Sequence, residues 1–470
     1  MTVLLNRGIV MTKPSPIHTL GHNAEAAYDT YLMKQGPNFV KAVSDFEERV
    51  NQSYLKYGRF TIPTFLKPHF LTANQEKLIK KNTEIANALL EKVIRLYFEE
   101  PIVKHAFQLS KEAELLMEID PGYERQVPIS RFDCFLEGET LKFIEMNTDS
   151  PAGVGYADLL ENLFFQTDEF SEFFEAFHFR RESRTQKLYE ALISAYSQFR
   201  GGSNSNPRIA IMDWRTVKTK HEFEALKSFF ESQGCPTCIA DPRDLKLKQG
   251  KLYHDDFQID LVYRRSILKE ILERLDEVQD FIKAYEKKAV CVVNSLRAPL
   301  VANNRVLSLL TNPRHQNWFT EEENKFIQEM IPWTRRMSDA EQYYGSKKIY
   351  MIDFLKDEKE TLILKPSKDS DAKNVIIGSD ATEEIWNKTI DVAMKDNWVI
   401  QEAIRIPQFN VPIVSDGKMQ FLLKKVSIHP FVFEGRYSAC LSRLSDDSVI
   451  NIAHGGGLIP AVAEEEEHNR

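Results

Sequence analysis

At 470 residues with 43% hydrophobic content, the chain is long enough for two or three domains around substantial cores. Its formal charge of −8 comes from mixed acidic and basic residues, which gives no reason to expect nucleic acid as the main partner, and no apolar run is long enough to span a bilayer. Five scattered cysteines do not look like a disulfide framework and favour a reducing cytoplasm.

The first sixteen residues, MTVLLNRGIVMTKPSP, hold only a short apolar run broken by Asn and Arg, unlike the apolar segment of a signal peptide. Residues 1–128 read as a mostly helical region, with TANQEKLIKKNTEIANALLEKVIRLYFEE as the clearest amphipathic run and Pro63 and Pro68 as interruptions. Residues 129–200 follow as a hairpin and helices. The segment RFDCFLEGETLKFIEMNTDSPAGVG sets Asp133 before a turn at Glu137, Gly138 and Glu139. Glu145 and Asn147 follow at spacing two, hence on one face of the returning strand. A three-residue loop would put Arg131 opposite Glu145 and Asp133 diagonal to it. A two-residue loop would send Asp133 to the other face. Three oxygen donors at one point suit Mg²⁺, which usually keeps phosphates as partners. The alternative is a polar hairpin face with a surface Arg–Glu pair. Ser150 and Pro151 read as the cap and first position of the next helix. Its N-terminus, with Gly153 and Gly155 nearby, can accept an anionic group or be only a tight turn.

GGSNSNP at 201–207 reads as a linker opening an α/β region over 201–310. RIAIMDW is a strand, HEFEALKSFFESQG a helix with a Gly stop, and TCIAD and FQIDLVYRRS two further strands. Tyr263-Arg264-Arg265 ends the last of these, where open α/β sheets bind ligands, although a surface Arg pair is an equal reading. No GxGxxG follows the first strand, so a dinucleotide site is not expected. Cys235 and Cys238 form one CPTC without a second ligand pair, which reads as structural rather than as zinc or redox chemistry.

Residues 311–462 carry a second set of signals. TLILKPSKDSDAKNVIIG places Lys365 on a buried strand beside a polar loop, an arrangement suited to nucleotide phosphates, with a hairpin carrying solvated lysines as the alternative. NWVIQEAI is a strand ending in Gln401 and Glu402. Arg436, Arg443, His454 and a glycine triplet come next. The triplet lets backbone approach a ligand, or is a flexible turn. Residues 463–470 read as a disordered acidic tail.

In this order the segments resemble the circularly permuted ATP-grasp family, to which glutathionylspermidine synthetase is related. The resemblance spans roughly residues 129–462 and rests first on RFD and IEMNTDSP, which match the family's RxD and ExN metal motif at Arg131, Asp133, Glu145 and Asn147. IDLVYRRS, AVCVVNSLRAPLVANNRVLSLL, LILKPS, VIQEAI, SRLS and AHGGG support it by their shared order. It implies an α/β (α+β) permuted ATP-grasp fold with a pre-ATP-grasp-like βαβ domain and a helical N-terminal region. The implied reaction makes an acyl phosphate from ATP and a carboxylate, then an amide with an amine. By resemblance, Asp133, Glu145 and Asn147 hold Mg²⁺, and Arg131 stabilises the transferred phosphoryl group. Lys365 binds ATP phosphates, the 367–374 loop from Ser367 closes over ATP, and Gln401 and Glu402 lie at the nucleotide hinge. Arg443, Gly455 and Gly456 contact phosphate or substrate. The substrates expected are small carboxylates and amines, with amino acids or short peptides as the default and a carrier protein as an option. Arg305, expected among the nucleotide-binding residues, keeps the positive charge of a Lys frequent in the family but not its geometry, and the loop after Lys365 is poor in glycine. A non-catalytic nucleotide-binding scaffold and a phosphotransferase are the rival readings.

Overall fold

The computed structural model describes residues 24–167, 173–174, 177–202, 206–338, 341–345, 347–367, 374–396 and 398–465. The architecture is mixed α/β, with three principal sheets and helices around them. The amphipathic run of the N-terminal region forms the helix Ala73–Glu99, started by a capping box in which Thr72 and Gln75 satisfy each other's backbone N–H. Its buried Leu89, Leu90 and Val93 share one core with Phe132 and Phe143 of the hairpin and with Val262 and Val292 of the parallel sheet. The N-terminal region is not all helix. His69–Leu71 pairs in parallel with Gly457–Glu464 at the edge of the largest sheet.

That sheet runs in the order His69–Leu71, Gly457–Glu464, Arg436–Ser445, Lys418–Phe433, Ile129–Glu137, Thr140–Asn147. The hairpin is therefore joined, through its first strand, to strands far along the chain. Glu464 belongs to the last strand, so the acidic tail begins later than the sequence suggests, and residues 466–470 lie outside the described set.

The parallel sheet has the order Cys291–Val293, Leu261–Arg264, Ile209–Met212, Thr237–Ala240. The continuous strand expected over FQIDLVYRRS is split. Phe257–Ile259 belongs to a separate antiparallel sheet, while Leu261–Arg264 enters the parallel one. Asp260 makes the break, since its carboxylate accepts from Arg208 N and its own N–H donates to Arg208 O. Of the linker between helix Arg184–Phe199 and this sheet, residues 203–205 lie outside the described set. Cys235 is a buried free thiol two residues before the strand Thr237–Ala240, and Cys238 is a free thiol within it.

The third sheet is antiparallel, in the order Thr334–Arg336, Val399–Glu402, Leu362–Lys365, Ile376–Ile377. Lys365 ends its strand as expected, and Leu364 pairs with Ile376 on the returning one. Residues 368–373 of the expected covering loop lie outside the described set. Among the described residues, no helix is long and apolar enough to cross a membrane.

Candidate functional site

The hairpin turns through Gly138 and Glu139, with Gly138 at φ 59, and pairs Glu137 with Thr140. This is the two-residue loop, the register that would carry Asp133 away from Glu145. A β-bulge corrects it. Between the pairs Cys134–Phe143 and Asp133–Glu145, Ile144 is an extra residue on the returning strand. Asp133 therefore lies directly opposite Glu145, and Arg131 opposite Asn147, so the predicted quartet does converge.

Asp133 is the electrostatic hub. Its carboxylate accepts from Arg131 Nε at 3.0 Å, Asn147 Nδ2 at 2.9 Å and Arg443 Nη1 at 3.4 Å, and His429 Nδ1 lies 3.0 Å away. Burial alone would raise its carboxyl, but Arg131, His429 and Arg443 together hold it well below the usual carboxylate range. Glu145 behaves in the opposite way. Burial, then the Asp133 charge, push it up to about 7 against the pull of Lys365, Arg131 and Arg443. Lys365 is brought down to about 8 by burial, opposed by Glu145 and Asp133.

Asp133, Glu145 and the amide of Asn147 make a hard oxygen donor set, and the charge that crowds Glu145 is one a divalent cation would relieve. The residues present thus fit a magnesium-type ion. Among the described residues, no group of three His, Cys, Asp or Glu side chains offers another metal site.

Two cavities meet at this pair. A cavity of about 510 Å³ is lined by Lys365, Ile363, Ile377, Ala403, Ile404 and His429, and one of about 850 Å³ by Arg131, Asn147, Arg443, Asp213 and Trp214; Asp133 and Glu145 belong to the walls of both. Lys365 Nζ donates to Gln401 Oε1 at 2.6 Å, and Gln401 Nε2 to Thr334 Oγ1 at 3.0 Å, so buried Gln401 orients the lysine. Glu402 accepts from Tyr344 OH at 3.4 Å, and the smaller cavity is lined instead by the residues that follow it, Ala403 to Ile406. Arg305 lines neither cavity. Its side chain is buried, donating to Ser367 Oγ and to Phe107 O.

Gly455 and Gly456 also line neither cavity. Gly456 N donates to Asn451 O, and a Cβ there would sit 2.7 Å from that same oxygen. The glycines close a tight turn that leaves Asn451, Ile452 and Ala453 in the wall of the larger cavity. The helix after the hairpin is not capped by Ser150. It is Val154–Phe165 with Gly153 at its N-cap, because Ser150 Oγ donates to Arg265 O and Arg265 Nη1 to Pro151 O, holding the intervening chain outside the helix. Its N-terminus does hold an anion, supplied from within. Gly153 N and Gly155 N donate to Glu222 Oε1 at 2.8 and 3.1 Å, and Arg265 lies 3.4 Å from the other oxygen.

The strand-end arginines are likewise buried braces. Arg264 Nη1 donates to Asp149 Oδ1 at 2.5 Å, and Asp149 Oδ2 accepts from Leu268 N at 3.0 Å. Sequence reasoning missed His429, Asn294 and Asp149. Asn294 Nδ2 donates to both Ile129 O and Thr148 O, clamping the two open ends of the hairpin. Asp149 stood next to the metal motif and was the one with a local signal. His429 and Asn294 carried none.

No protein-family model and no curated protein sequence matches the chain. Among solved structures, a glutathione synthetase-like effector from Globodera pallida in its apo form aligns with TM-score 0.59 at 12% identity, covering 90% of this chain and 96% of that one. A proposed gamma-glutamylcysteine synthetase from Methylobacillus flagellatus KT aligns with TM-score 0.42 at 11% identity, covering 84% and 89%, too low a score to bear on the fold. The chain is thus similar in fold, over nearly its whole length, to the glutathione synthetase-like effector.

Proposed function

We propose that this chain is an ATP-dependent carboxylate–amine ligase with a permuted ATP-grasp core, forming an amide through an acyl phosphate. The observation that carries this reading is that Asp133 and Glu145 stand in the common wall of two cavities. One is lined largely by apolar side chains with a buried lysine, as a nucleotide needs; the other carries Arg131 and Arg443, as an anionic acceptor needs. The fold shared with a glutathione synthetase-like protein agrees with it.

ATP with Mg²⁺, when bound, supplies the phosphoryl group and neutralises its charge. Asp133, Glu145 and Asn147 would hold the ion. Lys365 presents its ammonium to the phosphates from a strand where Gln401 fixes its position. Arg131 and Arg443 set positive charge beside the carboxylate pair, where the substrate carboxylate and the transferred phosphoryl must approach each other. The walls around the pair limit water at the acyl phosphate until an amine displaces phosphate.

The test is ADP release with Mg-ATP against pooled acids and amines, comparing the intact chain with Glu145→Ala and identifying products by mass. Turnover that requires both an acid and an amine and is lost in the variant is the expected result. Nucleotide binding without turnover would favour the scaffold reading, to which the engagement of Arg305 by Phe107 O and Ser367 lends support. ADP release without an amine, with a stable phosphorylated product, would replace the ligase by a phosphotransferase.

A further inference from the structure

The carboxyl ends of the parallel strands, where open α/β sheets bind ligands, carry a group that the proposed chemistry leaves unused. Asp213 follows the strand Ile209–Met212, with Arg265 after the neighbouring strand Leu261–Arg264 and Asp241 after Thr237–Ala240 on the other side. Asp241 is fully engaged. Its carboxylate accepts from Arg243 Nε and Nη2, both at 2.8 Å, and from Arg215 N at 3.0 Å, and against burial these donors hold it well below the usual carboxylate range. Asp213, at the same level of the sheet, is treated otherwise. It is 6% exposed, and its Oδ1 accepts from Trp214 N at 2.8 Å. No described residue donates to its Oδ2, and that oxygen is not fully enclosed, so it meets the larger cavity whose wall Asp213 forms.

Charge around Asp213 is not balanced. Arg265, the cation that acts on it most strongly, also carries Glu222 at 3.4 Å, and Arg264 is taken by Asp149 at 2.5 Å. Glu270, half-buried on the helix Leu268–Glu273, lines the same cavity and adds negative charge. Asp213, Glu270, Glu222 and Asp149 thus share two guanidinium groups, and neither Lys218 nor Lys269, the exposed lysines of the cavity, donates to Asp213. Burial, with Glu270 behind it, pushes the Asp213 carboxyl up to about 7 against Arg265 and the Trp214 N–H. A buried carboxylate whose outer oxygen opens on a cavity, with negative charge in excess, fits a cationic hydrogen-bond donor.

We propose that Asp213 and Glu270 form an ammonium subsite, which holds the charged amino group of the substrate whose carboxylate is received at Arg131 and Arg443. The inference rests on the ligase reading for the carboxylate pole, and on the shared cavity for joining the two poles. They are not adjacent. Arg131 Nη1 donates to Ala152 O and Arg265 Nη1 to Pro151 O, so the chain after the hairpin and a second guanidinium group lie between Asp133 and Asp213. The substrate class is then a zwitterion with its poles several bonds apart, an ω-amino acid or a short peptide with an unblocked amino end, rather than a simple acid. The amino group held here stays charged, so the amine that reacts is a different one.

Calorimetric titration of the full chain at pH 8 with butanoate, hexanoate and octanoate, each against its ω-amino counterpart, tests it. In the pair whose length spans the two poles, the ω-amino acid should bind about tenfold or more tightly than the simple acid. Asp213→Asn keeps the shape of the side chain and an acceptor for the Trp214 N–H. It should bring the two affinities of that pair to near equality and leave urea stability no lower, since the charge it removes is one that burial disfavours. Glu270→Gln, at a half-buried position, should reduce the advantage in part, and carries the test by itself if Asp213→Asn does not fold. Equal affinity within every pair, no binding by any ω-amino acid, or an advantage that survives these substitutions would overturn the proposal. ADP release over the same acids, with the amine pool present, separates the two readings. An ammonium advantage in binding without turnover leaves the subsite standing and the ligase reading fallen. Turnover indifferent to the ω-amino group does the reverse.

Discussion

Replacing the two carboxylates that face each other across the hairpin by their amides should move stability in opposite directions. Asp133 is held by Arg131, Arg443 and Asn147, with His429 at 3.0 Å. Asp133→Asn leaves two guanidinium groups, with side chains only 7% and 13% exposed, facing a neutral amide. Breaking a buried pair from one side costs about 3–5 kcal/mol. Glu145 has the reverse character, since burial and Asp133 raise its folded pKa to about 7 from an ordinary 4.5. An acid raised in this way costs nothing below its unfolded pKa. The cost grows as pH rises from about 4.5 to about 7 and is fully present above that. The ceiling is about 3 kcal/mol at pH 8, falling to about 1 kcal/mol at pH 5. Glu145→Gln should therefore stabilise the metal-free protein at pH 8, less so at pH 5, and magnesium should remove the advantage by stabilising the parent chain alone. Urea unfolding with EDTA or with Mg²⁺, at both pH values, reads all of this. A Glu145→Gln variant as unstable at pH 8 as Asp133→Asn would refute the reasoning, because it would make Glu145 a satisfied structural group rather than one awaiting a cation.

Lys365→Met should weaken nucleotide binding about tenfold or more in a direct binding assay and cost about 1–3 kcal/mol in urea, since it removes the phosphate-facing charge and leaves buried Gln401 Oε1 without its donor. Glu222→Ala should cost roughly 3 kcal/mol or more in urea, because it strips the carboxylate from two backbone N–H groups and from buried Arg265. Gly456→Ala should cost about 1–3 kcal/mol and leave nucleotide affinity unchanged in the same two assays, since its Cβ would press on Asn451 O in the wall of the larger cavity and not on the smaller cavity that suits the nucleotide. A loss of nucleotide affinity there would return the glycine to the binding site.

The sequence by itself determined the chemistry available to the hairpin. Asp133, Glu145 and Asn147 are oxygen donors, and Arg131 with Asp133 and Glu145 with Asn147 each stand at spacing two, which in extended backbone puts both members on one face without tertiary information. The helix Ala73–Glu99 was equally legible, because its apolar stripe and capping box are local. Whether the donors meet was not legible. The short turn favours the register that separates them, and the bulge at Ile144 that reunites them lies in a sheet whose next strand is Lys418–Phe433. Bulges bend and twist a strand to suit its neighbours, so their position depends on partners remote in the chain. Arg443 reaches Asp133 across 310 residues, and His429 comes from the same distant part of the sheet. The fate of the helix N-terminus was settled likewise, by Glu222 arriving from another helix to occupy what local sequence left open. Periodicity and capping act over a few residues and can be read in order. Which charged groups share a buried site follows from packing, where desolvation penalises every unpaired charge until a partner from elsewhere in the fold is brought to it.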